Sequence, residues 1–234
     1  MISFPSRQAI ILMLLLGWSG VLFSQISVPF VLDSGVDVNK KLKNGFTLNL
    51  GIGYRNLLFA DLGSSPVAAN SRHMQISTNL NYQLGFYDRL GGGLMYRFNS
   101  IGKEGISNEL RFTQEYIHVI QLNAVRLAHR LKLDQRTFRS LSTEFRFRYR
   151  VSVDFPLNGL KLDPGEFYIL VSTETLLLSG QAFKPEWDQR VNLAIGNQVT
   201  QTLKGQVDLQ YRAEGFSNEL QNQIFLVVAL IVGL

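Results

Sequence analysis

From residue 31 onward, apolar side chains recur at every second position in segments of about 9 to 15 residues, the spacing of a strand whose two faces differ. Phe46, Leu48, Leu50, Ile52 and Tyr54 share one face, and Thr47, Asn49, Gly51, Gly53 and Arg55 the other. The alternation from His73 to Phe86 is longer: Met74, Ile76, Thr78, Leu80, Tyr82, Leu84 and Phe86 against His73, Gln75, Ser77, Asn79, Asn81, Gln83 and Gly85. In the strongest segment Phe145, Phe147, Tyr149, Val151, Val153 and Phe155 oppose Glu144, Arg146, Arg148, Arg150, Ser152 and Asp154. Similar patterns run through residues 93–98, 126–136, 191–195 and 206–212.

A soluble barrel or sandwich would bury the apolar rows, whereas a transmembrane barrel turns them to lipid and keeps a polar lumen. The segments reach the roughly 9 to 11 residues that a tilted strand needs to cross a bilayer, while soluble strands average about five or six. The polar faces carry Arg, Glu and Asp, and aromatic residues gather toward strand ends at Tyr54, Phe86, Tyr96, Phe98, Phe138, Phe155 and Tyr211, as interfacial girdles do. The expectation is an all-β, transmembrane, antiparallel up-and-down β-barrel over residues 25–234.

Short connections are expected near Lys41 to Gly45, at Asp88 and Arg89, near Asn123, and near Thr202 to Gly205. Longer outer loops are expected at 56–71, 99–107, 179–186 and 215–218. The segments number eleven, and because single-chain bacterial barrels have an even count, the expectation becomes about twelve strands, with a short extra one at 26–31, or ten.

The first residues carry a targeting pattern. Arg7 supplies a positive start, Ala9 to Leu16 an apolar stretch, and Gly17, Ser19, Gly20 and Ser24 the small residues of a cleavage region, which predicts a signal peptide over 1–24. Beyond it no run reaches the roughly 18 apolar residues of a spanning helix. Hydrophobic residues make up 46% of the chain, yet mean hydropathy is only +0.06, which reflects the interruption by polar residues. The net charge of +5 is spread along the chain, so no nucleic-acid partner is expected. Cysteine is absent, which removes disulfides and thiolate metal sites.

HRLKLDQR at 129–136 and FRFRYR at 145–150, with ELRF at 109–112, Pro156, Glu174 in STETLLL and QRVNLAIGNQV at 189–199, resemble an outer-membrane barrel family known only as a domain of unknown function. The resemblance spans most of the chain and implies the barrel, but its motifs are repeated strand patterns with no catalytic signature. Two departures stand out: the chain ends on Leu234 where such barrels commonly finish on an aromatic, and Ile224 to Leu234 is apolar on both faces.

The candidate site is a lumen charge ladder of Arg126, Arg130, Lys132, Asp134 and Arg136 facing Glu144, Arg146, Arg148 and Arg150, with Glu174 and Arg190 on later strands. A hairpin centred near residue 140 sets Asp134 opposite Arg146 and Arg136 opposite Glu144, both favourable pairs. Lys132 then meets Arg148, which calls for a carboxylate such as Glu115 or Glu174, or a bound anion, between them. The ladder is consistent with an anion-preferring constriction or with an ion-paired network filling a narrow lumen.

His73, His118 and His129 lie on separate segments with no convergent metal spacing, and Ser77 stands about 13 Å along the strand from His73, too far for a catalytic pair. Ser140 and Ser142 show no catalytic arrangement either. Gly91 to Gly93 open no helix and mark a bend or bulge, not a phosphate loop. No metal or cofactor is expected; expected partners are outer-membrane lipid, the barrel-insertion machinery during biogenesis and small solutes. The functional expectation is an outer-membrane barrel of undetermined role, a narrow path for small, anionic solutes being one use of it, with an outer-membrane lipid hydrolase or acyltransferase, or a closed structural or partner-binding barrel, as alternatives.

Overall fold

In a computed structural model, residues 28–60, 70–99, 107–139, 142–181, 183–217 and 219–234 are described. The expected signal peptide and Ser140 lie outside them, as do parts of the expected 56–71 and 99–107 loops. The described residues form eleven strands and no helix: β1 (Phe30–Lys41), β2 (Phe46–Phe59), β3 (Asn70–Gln83), β4 (Asp88–Asn99), β5 (Glu109–Leu122), β6 (Val125–Phe138), β7 (Glu144–Pro156), β8 (Phe167–Gly180), β9 (Phe183–Gln198), β10 (Leu203–Glu214) and β11 (Gln221–Gly233). Each pairs antiparallel with its neighbour in sequence, and β1 pairs with β11 to close the barrel.

The eleven alternating segments are eleven strands, with no separate strand for a twelfth among the described residues. In an up-and-down meander of odd count the first and last strands run the same way, so closure must be parallel. The β1–β11 seam runs in register from Phe30↔Ile224 to Asn39↔Gly233. Backbone bonds finish it at both rims: the Ile224 amide donates to the Pro29 carbonyl (3.0 Å) and the Leu234 amide to the Asn39 carbonyl (2.7 Å).

The connections differ from expectation in several places. Asp88 and Arg89 begin β4, the turn itself being 84–87. Leu203 to Gly205 begin β10, and β2 runs to Phe59 while β3 starts at Asn70, so both ends of the expected 56–71 loop are strand. β8 runs to Gly180 and β9 starts at Phe183, so the expected 179–186 loop is mostly strand. Pro185 is tolerated in that strand because the pairing skips from Gly180↔Phe183 to Leu178↔Glu186, a bulge that needs no amide from it. At the other end β7 and β8 are joined by 157–166, longer than the turns beside it and not foreseen.

The wall has inverted polarity. Outward positions are apolar and exposed, as at Ile52 (59%) and Leu209 (54%), while inward carboxylates are sealed, as at Asp134 (0%) and Glu174 (2%). So large an apolar exterior is unfavourable in water and favourable against hydrocarbon. Inside, β2 and β4 present glycines, and these allow neighbouring polar side chains to lie flat along the wall. A Cβ on Gly51 would stand 2.6 Å from Ser77 Oγ and 2.7 Å from Asp37 Oδ1.

Candidate functional site: an ionic girdle around the lumen

Inward parity brings the charged residues of distant strands to one level. On β5 Glu109 gathers three guanidinium groups, from Arg111 (2.5 Å), Arg136 (2.9 Å) and Arg97 (3.3 Å). Arg136 also reaches Glu144 at 2.7 Å across the β6–β7 hairpin, whose register pairs Arg136 with Glu144, Asp134 with Arg146 and Lys132 with Arg148. Asp134 is held by Arg148 (2.8 Å) and Arg111 (4.0 Å), and Thr113 Oγ1 donates to it at 2.8 Å.

On β8 Glu174 is a second hub, for Arg150 (3.1 Å), Arg130 (3.2 Å), Arg148 (4.0 Å) and Arg190 (4.0 Å). Arg190 continues to Glu214 (3.2 Å), which Arg212 approaches at 4.0 Å. The Arg212 guanidinium lies 3.5 Å over the Phe225 ring, and Arg55 lies over the same ring at 4.9 Å, so this ring ties the seam strand β11 to β10 and β2. Arg55 pairs with Asp33 of β1, and Arg97 donates to Gln75 of β3 at 2.8 Å. Every strand thus contributes to a girdle of polar and ring contacts that runs around the inner wall.

Of the ladder read from sequence, Arg130, Asp134, Arg136, Glu144, Arg148, Arg150, Glu174 and Arg190 join this girdle. Arg126 lies apart, nearer the turn end, paired with Asp154 at 2.9 Å. Lys132 and Arg146 have no carboxylate within ion-pair distance among the described residues. Lys132 is the backbone partner of Glu115, and Arg148 has turned away from it toward Asp134 and Glu174. Sequence reasoning missed Glu109, Arg111, Arg97, Arg212, Glu214 and Phe225. The parity of Glu109 and Arg111 against Leu110 and Phe112 was the available signal, but only the fold shows that β4, β5 and β10 reach the same level.

On the turn side of the girdle the lumen widens into a vestibule of about 900 Å³, lined in part by Arg126, Asp154, Tyr168, Lys204 and Gln206, with Leu160 and Lys161 of the 157–166 connection at its edge. Tyr168 donates to Gln206 at 2.6 Å, and its ring lies over Gly196, where a Cβ would meet it at 2.2 Å.

His73 points inward and is buried. His118 and His129 are adjacent partners on the outer wall, His118 against Asp88 (2.8 Å) and His129 against the Tyr149 hydroxyl (2.8 Å). No serine hydroxyl hydrogen-bonds a histidine, and no group of three or more His, Asp or Glu is placed to hold a metal ion, among the described residues.

Fold and site define the class: a closed β-barrel of inverted polarity, with an apolar outer wall and an inner wall ringed by arginine–carboxylate pairs. A family model described as "protein of unknown function (DUF2490)" matches residues 34–223, and the chain belongs to that family. No curated protein matches it. Among solved structures, the anion-selective porin from Comamonas acidovorans matches with a TM-score of 0.39 and 14% sequence identity over 82% of this chain and 53% of the porin. The chain spans about half the length of that porin.

Proposed function

We propose that the chain is an outer-membrane β-barrel of a Gram-negative bacterium, exported by its first 24 residues and folded by the barrel-insertion machinery. Its lumen is closed at the girdle, so that it works through its wall, vestibule and loops and not as a general diffusion pore. The observation that carries this reading is the sealing of Glu109 (1%), Asp134 (0%) and Glu174 (2%) within one continuous set of ion pairs. A water-filled pore would leave such carboxylates wet. The apolar wall supports membrane insertion, and strands are one of the two ways a chain satisfies its backbone in hydrocarbon. The short turns then lie on the periplasmic side, and the vestibule opens there.

A narrow path for small anions is the second reading. It is favoured by Lys132 and Arg146, inward cations without a carboxylate partner among the described residues, which give the constriction a local positive excess.

Planar-bilayer recording separates the two. The closed barrel gives no steady conductance steps until the girdle is loosened by Asp134→Ala with Glu174→Ala. Discrete steps from the unaltered protein, with an anion preference that Arg146→Glu reverses, would establish the path and overturn the closed reading.

A further inference from the structure

The outer wall carries one feature that neither the girdle nor membrane insertion explains. Along the outward row Leu80–Gly92–Gln114–Leu133–Phe147, set by consecutive pairings of β3 to β7, the apolar surface is broken at Gly92 and Gln114. Gly92 leaves a gap: a Cβ there would meet nothing nearer than the Thr113 carbonyl at 3.9 Å. The result is a groove of about 490 Å³ that Leu90, Tyr116 and Leu131 also line. Gln114 is exposed in it, and its side chain makes no hydrogen bond among the described residues.

The groove leads into a polar cluster. Tyr116, which lines it, donates its hydroxyl to Asp88 Oδ1 at 2.5 Å, and His118 Nδ1 meets the same oxygen at 2.8 Å. His118 is the backbone partner of His129, whose ring stacks on Tyr149 (centroids 6.1 Å apart, 19° between planes). Tyr87 closes the rim, its ring 6.3 Å from His118. Gly92 and Asp88 are four residues apart, about 13 Å along the strand. Asp88 directly follows the 84–87 turn, so the cluster sits toward the turn side.

An outward carboxylate and two outward imidazoles are costly against hydrocarbon unless they have polar partners. Asp88 spends one oxygen on Tyr116 and His118; no hydrogen bond involving its second oxygen is formed among the described residues. On the outer-membrane reading the groove faces acyl chains and its turn-side end faces headgroups, so an occupant of an apolar groove with a charged end has one apolar and one zwitterionic part.

We infer that β3 to β7 form a site for a single phospholipid of the turn-side leaflet. One acyl chain lies in the Gly92 groove, with the Gln114 amide against the ester region. A primary-amine headgroup donates to Asp88, while its phosphate accepts from His129 Nε2–H, in the tautomer whose Nδ1 accepts from the Tyr149 hydroxyl. This rests on the outer-membrane reading above.

The test uses the full mature barrel refolded into vesicles of phosphatidylethanolamine and phosphatidylglycerol, extracted in mild detergent and weighed by native mass spectrometry. The expected result is one retained phosphatidylethanolamine per barrel. Gly92→Leu, which fills the groove without a backbone clash, lowers retention by about tenfold, or about 1.4 kcal/mol of affinity. Asp88→Asn removes the preference for ethanolamine over glycerol headgroups while leaving chain binding, and serves as the independent check should Gly92→Leu fold poorly. Retention that is unchanged in Gly92→Leu, or that shows no headgroup preference in the unaltered protein, overturns the site. A dimer mass that Gly92→Leu abolishes also overturns it, by making the groove an interface between copies. Barrels that insert and shift on heating but retain no lipid overturn this inference alone, whereas barrels that fail to insert overturn the membrane reading with it.

Discussion

Asp134 is the node through which the two halves of the girdle communicate, and its removal is the sharpest test of that network. At 2.8 Å from Arg148 and 4.0 Å from Arg111, with an effective dielectric of about 20, its gross attractions are about 6 and 4 kcal/mol. Desolvation offsets much of that, because burying the pair costs several kcal/mol per ion. Asp134→Asn keeps the shape and the hydrogen bond from Thr113 but leaves Arg148 with only Glu174, at 4.0 Å. Breaking a buried pair from one side costs about 3–5 kcal/mol, and the lower end applies here because Glu174 remains.

Arg148→Gln alone is expected to cost less, since Asp134 keeps Thr113 and Arg111. The double variant falls short of the sum of the singles by about 2 kcal/mol. Reversible guanidinium unfolding in detergent micelles supplies the numbers. Trp187, on the exposed outer wall, reports the loss of the apolar environment by fluorescence. A single-variant loss under about 1 kcal/mol, with strict additivity in the double, would mean that water already separates these charges, and the account of a sealed girdle would fail.

The parallel seam is open to chemical test because the chain has no cysteine. Ser34→Cys with Val228→Cys, backbone partners on the outer face, should oxidise to an intramolecular disulfide, strand neighbours being about 4.8 Å apart. Ser34→Cys with Val232→Cys, about 13 Å out of register, should not; equal cross-linking of both pairs refutes the register. Phe225→Ala removes the ring that Arg55 and Arg212 both contact and should destabilise the barrel by about 3–5 kcal/mol on guanidinium unfolding, with a lower temperature of heat modification on gels. A loss no larger than that of Leu209→Ala on the outer wall would deny that the ring ties the seam. Gly196→Val drives a side chain into the Tyr168 ring and should open the Tyr168–Gln206 bond, read as a shift in tyrosine absorbance on alkaline titration; an unchanged titration contradicts that packing.

Much of the wall could be read from alternation alone, because a period of two assigns each side chain a face whatever the strand's partner. The β6–β7 hairpin was legible to the residue, since opposite charges at Asp134 and Arg146, and at Arg136 and Glu144, select one register out of several. The girdle was not. Glu109 draws on Arg97, Arg111 and Arg136, and Phe225 on Arg55 and Arg212, contacts between strands whose relative height depends on the stagger of the whole barrel. The start of β9 was hidden by Pro185, which interrupts the pattern without ending the strand. The closing pair was hidden for another reason: Ile224 to Leu234 is apolar on both faces, and Phe225, Val227 and Ile231 face inward where other strands place charge.

Closure also sets an order of events. Each of the antiparallel ladders can form as soon as its second strand follows the first, across a turn or a single loop. The β1–β11 ladder joins Phe30 to Ile224, so its ends are brought together only after nearly all the chain has been laid down, and its loop-closure entropy is the largest in the molecule. Until β11 arrives, β1 is a bare edge twelve residues long, with a row of unpaired amides and carbonyls. No hairpin can zip the last pair shut, because the two strands travel in the same direction. The assembling chain is therefore an open, curled sheet for most of its history, and the step that makes it a barrel is a single docking of its oldest strand against its youngest.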